Sequence, residues 1–114
     1  MATVYGLHEI ELRAEVDPEE YEQWFADEVV DQQLLPGWKA ALLRADRGPR
    51  AGRYLMVFEV ESEEARDQYF PVEGQQSEDF DRYLAEHPET AALWERAQSY
   101  VAEDVPTDYV VVAS

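Results

Sequence analysis

The 114-residue chain has no cysteine. Disulfides, thiolate metal ligands and thiol nucleophiles are therefore excluded. Glycine is sparse, with five residues, and none sits in a G-x-G-x-x-G or P-loop pattern. No phosphate-cradling loop is expected. There is no G-x-S-x-G elbow, and two isolated histidines do not make a transition-metal site. Apolar runs stay far short of the roughly 20 residues of a membrane span. The opening MATVYGLHEIEL lacks the basic start and apolar segment of a signal peptide, so the protein is expected in the cytoplasm.

Positive charge is also scarce. Nine basic side chains stand against 26 acidic ones, for a net charge of -17. Phosphate backbones and anionic membrane surfaces would be repelled, so neither nucleic acid nor membrane is an expected partner. Lys39 is the only lysine. Acidic excess serves solubility and suits a high-salt or GC-rich habitat. A chain this long can bury a core without staples, and residues 1–114 read as one domain.

Hydrophobic periodicity supplies the elements. Residues 5–14 alternate as a strand, with His8, Ile10 and Leu12 on one face and Leu7, Glu9, Glu11 and Arg13 on the other. A helix follows, with Asp17 as cap, Pro18 in the first turn, and Tyr21, Trp24, Phe25 and Val29 as its apolar stripe. Pro36-Gly37 is expected to stop it near Leu35. WKAALLRA is a second strand and DRGPRAG a turn. RYLMVFEVES is a third strand, with Tyr54, Met56, Phe58 and Val60 on one face. Its other face starts with Leu55 and Val57 and ends with Glu59 and Glu61. Ser62 caps a short helix and Ser77 a longer helical region that Pro88 breaks after His87. Residues 107–114, TDYVVVAS, read as the last strand.

The order β-α-β-β-α-β is the split βαβ plan of an α+β, ferredoxin-like subunit: one antiparallel sheet with helices on one face. Leu7, Leu43, Leu55, Val57 and Val112 leave the other face too apolar for water. A second copy of the sheet is the simplest cover, so a homodimer is expected.

The run LLPGWKAALLRA followed by RYLMVFEVESEEARDQYF resembles the dimeric α+β barrel superfamily. That group includes antibiotic-biosynthesis monooxygenase-like, stress-responsive barrel and EthD-like proteins. The likeness is closest over residues 5–70. It implies a ligand cleft between sheet and helices, occupied by a small apolar or aromatic molecule. It also implies activities that range from cofactor-free oxygenase to polyketide cyclase to heme degradation. In such a cleft His8 would be the acid or base and Tyr54 the hydrogen-bond donor. Trp24, Phe25, Met56, Tyr69 and Trp94 would line it, without a cofactor or metal. The cyclases place a second histidine just after the short helix. Here that segment is Tyr69-Phe70-Pro71-Val72, a departure from their pattern. His87, beside Pro88, reads as a helix-end residue. Heme degradation needs an axial ligand and a basic surface for the propionates, and neither is evident. Glu9, Glu11, Glu59 and Glu61 are expected to pair with Arg13, Arg44 or Arg53 in preference to holding a hard cation. The alternative to an enzyme is a non-catalytic ligand-binding or structural homodimer, with the aromatics as core.

Overall fold

A computed structural model describes residues 2–32, 34–72 and 74–114. Four strands form one antiparallel sheet: β1 (Val4–Leu12), β2 (Trp38–Arg44), β3 (Tyr54–Val60) and β4 (Val101–Val110). Their order is β2-β3-β1-β4. Four helices, α1 (Pro18–Trp24), α2 (Glu63–Tyr69), α3 (Glu78–Glu86) and α4 (Pro88–Tyr100), complete the α+β subunit. This is the ferredoxin-like arrangement, with β1 and β3 at the centre.

The caps act as their side chains dictate. Asp17 accepts from the Glu19 N–H, Ser62 from Ala65 and Ser77 from Phe80. Each satisfies a donor that its helix leaves orphaned. His87 ends α3, its Nδ1 against the Tyr83 carbonyl at 2.9 Å, and Pro88 opens α4. The Pro88 ring suits a first turn, where no N–H is needed.

Two elements depart from expectation. The first helix does not run on to Leu35. It widens into a π-helical turn over Phe25–Val29, closed by the Val30 N–H on the Phe25 carbonyl at 3.1 Å. The wide turn buries both Phe25 and Val29, and the chain beyond it brings Leu34 and Leu35 into the core. The last strand begins at Val101 rather than Thr107. Its length is fixed by β1, which it pairs from Val4↔Val110 to Leu12↔Val101. Val112 therefore falls beyond the strand and is 95% exposed. Pro106 inside β4 is tolerated because β4 is an edge strand, with only one neighbour to satisfy.

Register decides which side chains share the helix-covered face. His8 sits opposite Met56, Ile10 opposite Tyr54 and Gly6 opposite Phe58. On the other side Gly6 faces Asp108, His8 faces Pro106 and Ile10 faces Asp104. The core between this face and the helices includes Val4, Ile10, Tyr21, Phe25, Tyr54, Phe58, Tyr69 and Phe80.

Candidate functional site

The interior between sheet and helices is not uniformly filled. A cavity of about 550 Å³ opens toward solvent beside β1. Its floor is Val4, Gly6 and His8 of β1 with Phe58 and Val60 of β3. Trp38, Phe70 and Trp94 form aromatic walls; Arg66, Asp67 and Asp108 add charge.

His8 lies on this floor because its strand alternates. Ile10 shares its face and is buried, while Glu9 and Glu11 on the other face are exposed. The ring stands edge-on to Phe58, with centroids 5.2 Å apart. Nδ1 meets the Asp104 carboxylate at 2.9 and 3.2 Å. A carboxylate can only accept, so Nδ1 donates, and in the neutral ring Nε2 keeps its lone pair. The His8 side chain is mostly covered and that of Asp104 is partly open to water. An imidazole held this way by a carboxylate is oriented for proton transfer at Nε2.

The second charged group of the cleft is Arg66. It donates to Asp67 at 3.0 Å and to Asp108 at 3.3 Å. Partial burial works against its charge, but the two aspartates outweigh that and the net pKa shift is upward. The cation is thus committed to carboxylates. The indole N–H groups of Trp38 and Trp94 are buried without a hydrogen-bond partner among the described residues.

Of the residues expected at the site, the cavity brings together His8 and Trp94. Tyr54 does not line it. Its hydroxyl donates to Glu22 at the Ile10 end of the face, where Arg44 also donates to Glu22 at 2.9 Å. Burial and the Glu22 carboxylate push the Tyr54 hydroxyl up to about 12. The bond from Tyr54, against some burial and with help from Arg44, holds Glu22 below its ordinary value. Trp24 packs on Tyr21 and Tyr100, and Phe25 packs on both Tyr21 and Trp24. Tyr69 packs on Phe80 and Tyr83, and burial raises its pKa. Met56, opposite His8, packs against the core. These five are filling, not lining.

The cleft also takes residues that sequence reasoning passed over: the rings of Trp38, Phe58 and Phe70, and with them Gly6, Arg66, Asp108 and the His8 partner Asp104. The lone glycine in an alternating strand was the available signal, since such a residue marks close approach by another group. Phe70, Pro71 and Val72, the segment that follows α2, do line the cavity.

Of the four glutamates expected to pair, Glu9 and Glu59 find partners, though not the ones expected. Glu9 pairs with Arg50, and Glu59 accepts from the Tyr5 hydroxyl at 3.0 Å. Arg44 is taken by Glu22, and Arg13 reaches the Gln98 carbonyl. Among the described residues no three His, Asp or Glu side chains converge as a metal set. Among the same residues no helix is long and apolar enough to cross a membrane.

No family model matches the chain, and no curated protein matches it in sequence. Solved structures do resemble it. A dimeric ferredoxin-like protein of unknown function from Thermobifida fusca superposes with a TM-score of 0.57 at 18% identity, over 96% of this chain and 92% of that one. A DABB family protein with a ferredoxin-like fold from Mesorhizobium loti gives 0.58 at 15% identity, over 99% and 100%. The heme-degrader MhuD from Mycobacterium tuberculosis, with two hemes bound in its active site, gives 0.53 at 20% identity, over 97% of each chain. Likeness at these identities establishes the ferredoxin-like fold that this chain shares with all three.

Proposed function

We propose that the protein binds a small, mostly apolar or aromatic molecule in the cleft beside β1, and that His8 moves a proton on it without a cofactor. Asp104 orients the imidazole; Trp38, Phe58, Phe70 and Trp94 hold the ligand's body. The reaction class is proton-transfer chemistry such as cyclisation or isomerisation, or oxygenation of an electron-rich ring with dioxygen as both oxidant and oxygen source once His8 has taken the substrate's proton. The observation that carries this reading is the cavity of about 550 Å³ at the imidazole–carboxylate pair. It exceeds the roughly 300 Å³ from which small-molecule sites begin.

Heme is a poor fit. Arg66 is the only Lys or Arg among the described residues lining the cleft, and Asp67 and Asp108 already occupy it. Propionates would meet carboxylates there.

The displacement of Tyr54 from the cleft favours a second reading, binding without turnover. One experiment separates the two. A panel of aromatic small molecules is titrated against the wild type and His8→Ala, with quenching of Trp38 and Trp94 fluorescence as readout. Turnover of bound compounds is then followed. Loss of turnover in a folded His8→Ala supports the catalytic reading. Binding without turnover in both proteins supports the other. A wild type that binds none of the panel defeats both.

The functional unit is a homodimer, paired through the sheet faces that carry no helices. Leu43, Val105 and Tyr109 are exposed there, and a concavity of about 790 Å³ runs between Leu43, Leu55 and Val105. That is apolar surface a second copy would cover. The Thermobifida fusca protein of this fold is itself dimeric. Sedimentation at micromolar concentration is expected at twice the chain mass of 13.2 kDa. A Leu55→Asp variant is expected at the chain mass. A wild type that sediments as a monomer overturns the pairing.

A further inference from the structure

Gly6 leaves a gap in the cleft floor, and the atoms around that gap have one chemical character. A Cβ placed on Gly6 would stand 3.3 Å from Asp108 Oδ1, 3.7 Å from Phe58 Cβ and 3.9 Å from His8 Nε2. Asp108 Oδ1 is an acceptor. Its sister oxygen takes the bond from Arg66, and Oδ1 itself has no hydrogen bond among the described residues. Nε2 of His8 is also an acceptor, because Nδ1 carries the neutral ring's one proton and donates it in the hydrogen bond to Asp104. The register of the sheet places these groups together, with Gly6 directly opposite Asp108 and also opposite Phe58. Two acceptors flanking one empty point, with an apolar carbon beneath, call for a donor.

We infer that the space above Gly6 is a head-group subsite for a hydroxyl or protonated amine on an aromatic body, with Asp108 as the residue that selects it. This rests on the proposed reading of the cleft as a ligand site and adds what kind of ligand it takes. The donor's hydrogen is shared between Asp108 Oδ1 and His8 Nε2. A phenolic or enolic O–H seated there presents its proton to the base that the site provides. A carboxylate head would meet Asp108 and Asp67 and be rejected. An ether or ketone head would leave two acceptors facing an acceptor, with no hydrogen between them. The aromatic walls are indifferent to the head group, so discrimination falls to this corner.

Three probes with one ring system isolate the head group: 2-naphthol, 2-methoxynaphthalene and 2-naphthoate. Binding is read by quenching of Trp38 and Trp94. In the wild type, 2-naphthol is expected to bind about tenfold more tightly than its methyl ether, the margin of one hydrogen bond to a charged acceptor. The naphthoate is expected to bind more weakly still. Gly6→Ala should fill the subsite and erase the preference, leaving the ether and the naphthol within about twofold. Asp108→Val should erase it while leaving the cavity open. Circular dichroism confirms that each variant is folded; if one is not, the other decides. Equal binding of naphthol and ether by the wild type overturns this inference and leaves the ligand-site reading intact. So does a preference that survives in a folded Gly6→Ala or Asp108→Val. Failure of all three probes to bind overturns the ligand-site reading itself, and this inference with it.

Discussion

At the Ile10 end of β1 the space between sheet and helices is packed down to a rim groove of about 180 Å³; at the Gly6 end of the same strand it opens into a cavity of about 550 Å³. The same two central strands floor both ends. At the filled end Tyr54 lies opposite Ile10, and above them Tyr21 touches Tyr54, Phe25 and Tyr100 edge to face. Tyr21 and Phe25 are 1% and 2% exposed. At the open end a glycine replaces a side chain, and aromatic rings stand around a cavity. Aromatic residues are abundant at both, so aromatic content does not mark a site. What separates the ends is whether the strand supplies volume. Ile10 does and Gly6 does not.

Phe25→Ala should show the largest effect. Truncating a fully buried ring leaves a cavity that costs about 3–5 kcal/mol, measured by urea unfolding. A loss under about 1.5 kcal/mol would mean that this end is loosely packed too, and the contrast would fail. Gly6→Ala should go the other way. Its new methyl group meets space at ordinary or slightly tight distances, and replacing glycine within a strand gains up to about 1 kcal/mol. The same unfolding assay reads it, and a loss of more than about 1 kcal/mol would mean the gap is not open.

Tyr54→Phe sharpens the comparison through pH. Glu22 in the folded protein titrates below its ordinary 4.5, chiefly through the Tyr54 bond. The stability this lends is complete above pH 4.5 and is lost as pH falls through the folded value. Removing the hydroxyl should move the midpoint of acid unfolding upward, while His8→Ala at the other end should not move it through Glu22. The alkaline side gives the smallest effect. Tyr54 and Tyr21 are raised from 10.0 to about 12, so their contribution is whole below pH 10 and is lost as pH rises toward 12. Tyrosinate absorbance should show one fewer late-titrating tyrosine in Tyr54→Phe than in the wild type.

Much of the framework was legible in local sequence. Strand parity put His8 on the face with Ile10 and Leu12. Asp17, Ser62 and Ser77 announced three helix starts, and Pro88 announced a break. The site was less legible for two reasons. Parity says which face a residue occupies, and not which end of it. Tyr54 and Met56 share the face of His8, yet Tyr54 turns its hydroxyl to Glu22 and Met56 packs into the core. The other reason is β4. Glu103, Asp104 and Pro106 disfavour a strand locally, so nothing in the stretch before Thr107 announces that it belongs to the sheet. At an edge, pairing with β1 outweighs those local preferences. With that stretch went Asp104, the partner of His8. Asp108 fell inside the expected strand, but without the register its place beside Gly6 could not be read. The π-helical turn after Trp24 carries no local signal that distinguishes it from a continuing helix.

Position along the chain adds a kinetic side to β4. His8 and Asp104 are 96 residues apart, and Arg66 and Asp108 are 42 apart. Both pairs form only when β4 lies down on β1, a closure between distant segments that carries a large entropic cost in the folding reaction. The helices and the β2–β3 pair are assembled from nearer contacts and need not wait for it. Both pairs of the site therefore depend on the pairing of the first strand with the last.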